Sequence, residues 1–302
     1  MQIDKINLMK EVPPGIAQIK QHIVTLMKRQ RNLSHYPKVI KKLREFKKAY
    51  PILPRYVSPH ASEEMISIEG IDHPIRYFTK SEKAEKLVLF IPGGNFCYDQ
   101  QYDYDKLVES VLDEQTQAIV KPYPLAPESI FPEAHENVLS WVTHMLANKG
   151  RYVQGEDVIL CGIGSGCHIA LWVFNQLQKR ESIKKLLLID GLYQVNALAL
   201  SDAPSAESLS GTLGCYFVDQ IHNNPDINLI QKFTPNDVPT LVVTGSGHAL
   251  AHESIQLAAI SGFHSSDTNI LIIPGALNEF LMYDDVQSRE AMAMIKSWLN
   301  NG

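Results

Sequence analysis

Cysteine is scarce in this chain of 302 residues: Cys97, Cys161, Cys167 and Cys215 are the four present, and none stands at metal-ligand spacing from another. Two of them, Cys161 and Cys167, lie in or beside an apolar run and read as packing residues, which fits a reducing, cytoplasmic setting. Long apolar runs are missing too. The uncharged stretches fall far short of the ~20 residues a membrane span needs, so no membrane span is expected. Residues 1–30 carry scattered lysines and no hydrophobic h-region or cleavage site, so no export signal is read. Positive charge is not in excess: 28 Lys and Arg face 33 Asp and Glu, a formal net charge of −5, which argues against a nucleic-acid partner. Internal repeats and low-complexity segments are absent. What is present, 45% apolar and 20% charged residues, is the composition of a folded globular chain.

The first sixty residues differ from the rest. Apolar side chains recur at helical spacing through Ile16, Ile19, Ile23, Leu26 and Met27, and again from Val39 to Phe46. Lys38, Lys41, Lys42, Arg44, Lys47 and Lys48 make the second stretch basic, either a solvated helix face or a face for an acidic partner or membrane surface. Pro51, Pro54 and Pro59 break any helix and mark a junction, dividing the chain into a helical segment 1–60 and a larger unit 61–302. From about residue 63, short apolar runs read as buried parallel strands: Leu87–Ile91, Gln117–Val120, Val158–Cys161, Lys185–Ile189, Thr240–Thr244 and Asn269–Ile273. Helical periodicity lies between most of them, as in Ala134–Leu146 and His168–Leu177. The alternation predicts an α/β fold, a mostly parallel sheet with helices on both faces. Met65–Ile68 and Ile75–Phe78, separated by a Gly70/Asp72 turn, predict an antiparallel pair at one edge.

In an open α/β sheet, ligands sit beyond the carboxyl ends of the strands, so the strand-to-turn junctions carry the functional signal. Four are informative. Phe90-Ile-Pro-Gly-Gly-Asn-Phe96 runs a strand into a glycine pair, where backbone N–H groups can approach a ligand oxygen. Pro122-Tyr-Pro-Leu-Ala-Pro-Glu128 precedes Phe131-Pro132 and a helix. Val158-Ile-Leu-Cys-Gly-Ile-Gly-Ser-Gly-Cys-His-Ile-Ala170 is strand, sharp glycine turn and helix; Val238-Pro-Thr-Leu-Val-Val-Thr-Gly245 again ends in glycine, with Pro274-Gly275 closing the next strand.

Taken in order, these motifs resemble the hormone-sensitive-lipase-like branch of the α/β-hydrolase superfamily over roughly residues 63–300. That family carries a His-Gly-Gly-Gly oxyanion loop, a Tyr-Arg-Leu-Ala-Pro-Glu segment, a Gly-Asp-Ser-Ala-Gly nucleophile elbow, then a catalytic Asp and a His-Gly-Phe. Leu125-Ala-Pro-Glu128 and Phe131-Pro132 match it specifically, and Asn224-Pro-Asp-Ile-Asn228 more loosely resembles the segment before the Asp-bearing strand. The resemblance implies an α/β-hydrolase fold with an N-terminal helical cap, carboxylesterase or lipase chemistry, and no metal or other cofactor. It also fails where the chemistry resides. Gly164 falls at the nucleophile, His248 at the acid and Asn278 at the base; Pro92 and Asn95 replace the loop histidine and its third glycine, and Pro124 replaces the arginine.

Glycine has no side chain, and asparagine does not accept and return a proton near neutral pH, so these positions assemble no acyl-transfer triad. The leading reading is a catalytically degenerate hydrolase-fold protein that keeps a pocket, built from Gly93, Gly94, Asn95 and Ser165, for a small ligand or a partner. Backbone N–H groups at Gly93, Gly94 and the Gly164-Ser165 turn, beside a helix N-terminus, suit a small carboxylate with an apolar tail. The first alternative is an active carboxylesterase in which Ser165 works with a nearby histidine, His248, His252 or His264. The second is a structural protein whose N-terminal helices dock onto a protein partner. Cys167 reads as packing and Asp190 as a strand-end cap. Gly162 to Cys167 also resembles a dinucleotide fingerprint, but its third glycine is Cys167, and Asp190 comes later than the ribose carboxylate should.

Overall fold

A computed structural model describes residues 36–49, 56–195, 204–218, 220–232, 237–264 and 267–301. The predicted stripe of Ile16, Ile19, Ile23, Leu26 and Met27 lies outside the described residues, as do Pro51 and Pro54. The strands are β1 (Ala61–Ile68), β2 (Ile71–Phe78), β3 (Lys86–Ile91), β4 (Thr116–Val120), β5 (Asp157–Ile163), β6 (Ile183–Ile189), β7 (Thr240–Gly245) and β8 (Thr268–Ile273). The helices are α1 (Tyr36–Ala49), α2 (Asp105–Val111), α3 (Glu133–Asn148), α4 (Ser165–Gln176), α5 (Pro204–Phe217), α6 (Gln220–Asn223), α7 (Ala251–His264) and α8 (Val286–Asn300).

The strands form one sheet in the order β1-β2-β4-β3-β5-β6-β7-β8, parallel from β4 to β8 and antiparallel at the two pairs that include β2. Every predicted apolar run is a strand, extended by one to three residues. The edge pair is longer than its sequence suggests. Ile68 pairs with Ile71, so Glu69-Gly70 alone makes the turn, and Asp72 lies within β2 opposite Ser67.

Helices cover both faces, which explains why the central strands read as unbroken apolar runs. In β3, Leu87, Leu89 and Ile91 enter one core while Val88 and Phe90 enter the other. Strands β5 and β6 divide likewise, Leu160 and Leu188 against Cys161 and Leu187. Helices α3 and α4 close the first core with Val138, Trp141, Ile169 and Phe174; α2 and α8 close the second with Leu107, Val108, Ile295 and Leu299.

The basic stretch of the N-terminal segment lies on α1, and only part of it is solvated. Lys38 and Lys42 are exposed. Arg44 instead reaches the larger unit: its Nε donates to the Cys97 carbonyl at 2.6 Å, one terminal nitrogen donates to the Ala126 carbonyl, and the other to Glu128 at 2.7 Å. Lys41 adds an ion pair to Glu128 at 3.4 Å, which at this exposure contributes little. Helix α1 packs against α5, and Ile40, 1% exposed, joins the first core. Truncating that side chain should leave a cavity under α1. Ile40→Ala is therefore expected to lower the unfolding free energy by ~2–5 kcal/mol in urea titration, and an unchanged midpoint would show that α1 is an accessory to the fold.

Candidate active site

Strand β5 ends at Ile163 and α4 begins at Ser165, so Gly164 alone makes the connection, with φ 56° and ψ −121°. L side chains seldom adopt that backbone conformation, which costs of order 1–3 kcal/mol where they do. Space is not the obstacle: a Cβ at Gly164 would meet nothing nearer than the Gly93 Cα at 3.8 Å. Two residues further on, a Cβ at Gly166 would lie 2.1 Å from the Ile91 carbonyl oxygen. A strained apex with room for a side chain and a flanking residue without it is the geometry of a nucleophile elbow, with Gly164 at its apex.

Ser165 is placed differently. It opens α4, is 1% exposed, and its Oγ lies 3.3 Å from the Tyr123 hydroxyl. Since Tyr123 donates its one proton to the Gly93 carbonyl at 3.1 Å, Ser165 is the donor of the pair. Burial pushes the Tyr123 phenol well above its ordinary pKa, so it offers Ser165 no base.

The elbow opens onto a small cleft at the carboxyl ends of β3, β5 and β6. It brings together six residues expected from the sequence, Gly93, Gly94, Asn95, Gly164, Ser165 and Asn278. Asn95 sits at φ 49°, left-handed backbone that asparagine tolerates better than most residues, which accounts for it in the place of the family's third glycine. His248 does not line the cleft. It stands behind Asp190, its Nδ1 3.6 Å from Oδ1, and burial with the neighbouring His252 brings its pKa down to about 4. His252 and His264 are exposed on α7 and do not line the cleft either. Cys167 is fully buried and donates its Sγ–H to the Ile189 carbonyl at 3.3 Å; burial pushes the thiol up, so it packs as expected and is no thiolate.

Four polar lining residues were not read from the sequence as part of a site: Gln100, Tyr104, Asp190 and Glu279. Asp190 does cap a strand end, as its position suggests, accepting the N–H groups of Gly245 at 3.1 Å and Glu279 at 3.3 Å. It also faces the cleft while only 3% exposed. Burial, assisted by the charge of Glu279, raises its carboxyl to about 6 against the opposing pull of those N–H groups. The available signal was an acidic residue ending the strand after the elbow strand. Among the described residues, no group of three or more His, Cys, Asp or Glu is placed to hold a metal ion, and no helix is long and apolar enough to cross a membrane.

Behind the glycine loop runs a chain of buried side chains. His168 Nε2 lies 2.8 Å from the Ile227 carbonyl, so it must carry the proton. His168 Nδ1 then accepts from His135 Nε2 at 2.9 Å, and His135 Nδ1 accepts from the Tyr216 hydroxyl at 2.7 Å. One direction of donation satisfies every atom with both rings neutral. Burial supports this, lowering His135 well below its ordinary pKa and His168 to about 4. Tyr216 in turn stacks on Phe96 of the glycine loop, ring centroids 4.5 Å apart.

The sequence profile of a family described as alpha/beta hydrolase fold matches residues 88–282. A protein named "Esterase" from Acinetobacter venetianus is 25% identical over 226 residues, covering 70% of this chain and 74% of that one. The hyperthermophilic esterase of the archaeon Pyrobaculum calidifontis shares the fold with a TM-score of 0.70 at 17% identity, over 95% of this chain and 97% of its own. One of two fungal esterases from Rhizomucor miehei does so at 0.72 and 16% identity, over 92% and 94%.

Two outcomes follow from this geometry. Gly164→Ala should fold with a loss of ~1–3 kcal/mol, whereas Gly166→Ala should yield no soluble folded protein; equal melting temperatures would refute the close approach to Ile91. The second concerns pH. A histidine with a lowered folded pKa contributes stability that is complete above its unfolded value of about 6.5 and is lost as pH falls toward the folded value. The stability difference between wild type and His168→Gln should thus narrow between pH 6.5 and 4, by up to ~1.4 kcal/mol per pH unit. A constant difference would mean that His168 is not buried neutral.

Proposed function

The chain belongs to the α/β-hydrolase-fold family, and we propose that its cleft binds a small ligand without forming an acyl-enzyme. The observation that supports this reading is the elbow apex. Gly164 has the backbone of a nucleophile position and no nucleophilic atom. Of the other two aligned positions, Asn278 lines the cleft without being a base, and His248 lies behind a carboxylate. Loss of a triad nucleophile alone costs on the order of 10⁶ in rate, leaving roughly 10³–10⁴ over water from binding and oxyanion contacts.

A second reading, an active esterase, is favoured by the relatives named as esterases. It assigns the attack to Ser165, the aliphatic hydroxyl of the cleft lining. That hydroxyl is buried and donates to Tyr123, and among the described residues no histidine lines the cleft to take its proton. Hydrolysis through Ser165 would require both to change on substrate binding.

A fluorophosphonate probe separates the two readings together with p-nitrophenyl butyrate turnover. The binding reading expects no stoichiometric serine adduct and turnover no better than that of Ser165→Ala. An adduct in one-to-one ratio that disappears in Ser165→Ala would establish the esterase instead.

A further inference from the structure

We propose that the buried pair His135–His168 is a proton-operated latch on the glycine loop: a proton taken up by the pair displaces Tyr216, and Phe96 then leaves its seat and frees the loop beside Gly164. The latch lies behind the cleft and does not depend on what the cleft binds.

The loop is held in a strained conformation. Gly94, Asn95 and Phe96 have positive φ in succession, 115°, 49° and 61°. Glycine takes such backbone freely and asparagine tolerates it, but a bulky side chain rarely adopts it. Phe96 does so while wholly buried. Its ring supplies the reason. It stacks on Tyr216 at 4.5 Å with 6° between the planes, and meets Phe217 and His168 edge-on at 5.2 and 5.8 Å. The Ala126 N–H adds a bond to the Phe96 carbonyl at 2.9 Å. Asn95, the preceding residue, lines the cleft, so the seat of Phe96 fixes part of the cleft wall.

The chain that holds Tyr216 has no place for another proton. His168 Nε2–H is committed to the Ile227 carbonyl. While the 2.9 Å bond between the rings persists, a proton added to either one leaves His135 Nδ1 carrying a hydrogen toward Tyr216. The Tyr216 hydroxyl must then accept where it now donates at 2.7 Å, and send its own hydrogen elsewhere. The backbone groups acting on its oxygen are the N–H groups of His135 and Ala134, which accept nothing. The added charge finds no partner either. Among the described residues, the titratable groups facing the pair are the two rings themselves, on α3 and α4, and Tyr216 on α5. Beyond Tyr216 stand Tyr123 and the exposed Glu133. Phe96, Phe131 and Trp172 complete the enclosure with uncharged rings.

Tyr216 is the member of the chain that can yield. It lies in the last turn of α5, two residues before Val218, which is exposed and has φ 46°, whereas α3 and α4 are packed into the first core along their length. Helix ends give way before helix middles. Displacing Tyr216 removes the stacking partner of Phe96, and nothing else in that seat favours positive φ at a phenylalanine. The sign follows from burial, which lowers both histidines, His168 to about 4. The seated loop holds the pair neutral and the released loop lets it charge at about 6.5, so the latch is closed at neutral pH and opens as pH falls below that value toward 4.

The test is hydrogen–deuterium exchange of the full chain, read by mass spectrometry as pH is lowered from neutral and corrected for the intrinsic pH dependence of amide exchange. Exchange in residues 93–98 should accelerate by up to about tenfold per pH unit below about 6.5, while β3 and β5 stay protected. The double variant His135→Gln with His168→Gln keeps a donor and an acceptor on each side chain and takes up no proton, so its loop should show no such acceleration. Tyr216→Phe is the second variant, in case the double variant does not fold. It keeps the stacked ring without the hydroxyl that the proton confronts, and its loop should likewise lose the pH dependence. Simultaneous loss of protection in the loop, β3 and β5 would be ordinary acid unfolding and would overturn the latch. So would a wild-type loop that stays protected down to pH about 4, or a Tyr216→Phe profile identical to that of the wild type.

Discussion

The approach of α4 to β3 is the constraint on which the site depends. With Gly166 packed against the Ile91 carbonyl, the helix must begin one residue after β5 ends, and Gly164 must take the whole reversal. The N–H of Gly164 donates to the Ile189 carbonyl at 2.8 Å, tying the apex to the end of β6. Asp190 follows directly, its own N–H held by Val243 at 2.8 Å, and so stands beside the elbow. The glycine loop after β3 meets the same turn from the opposite side through Tyr123, which bridges the Gly93 carbonyl and Ser165. One close packing contact thus fixes the apex, the loop and the buried carboxylate together.

Much of the fold was legible because the sheet is covered on both faces. Strands with two buried faces show as unbroken apolar runs, and β3 and β5 to β8 ended near the residues their sequences suggest. The elbow and glycine pair were legible because they are local, each set by a few consecutive residues. The remainder of the cleft was not. Asp190 enters through the adjacency of β5 and β6 and a left-handed turn, neither visible in the residues around it. Glu279 was overshadowed by its neighbour Asn278, to which the aligned motif directs attention. Gln100 and Tyr104 reach the site only because the loop after β3 folds back over it. The hydrogen-bonded histidines are separated by 33 positions, and periodicity relates no such pair.

The cleft combines features of opposite electrostatic sense. Its backbone retains the turn and loop of a fold family built around a developing negative charge. Its side chains add two carboxylates and neutral groups that orient them. The sheet beneath keeps the fold of the family while these side chains depart from its motif. This is the usual separation between fold and function.

Arg44 has a consequence of a different kind. Its guanidinium holds the carbonyls of Cys97 and Ala126, and Cys97 donates its own N–H to the Gly94 carbonyl at 2.9 Å. Docking of α1 and the shape of the glycine loop are therefore two aspects of one hydrogen-bond network. Thermodynamic linkage then requires reciprocity. Whatever the cleft gains or loses in affinity when α1 is seated, α1 gains or loses in docking strength when the cleft is filled.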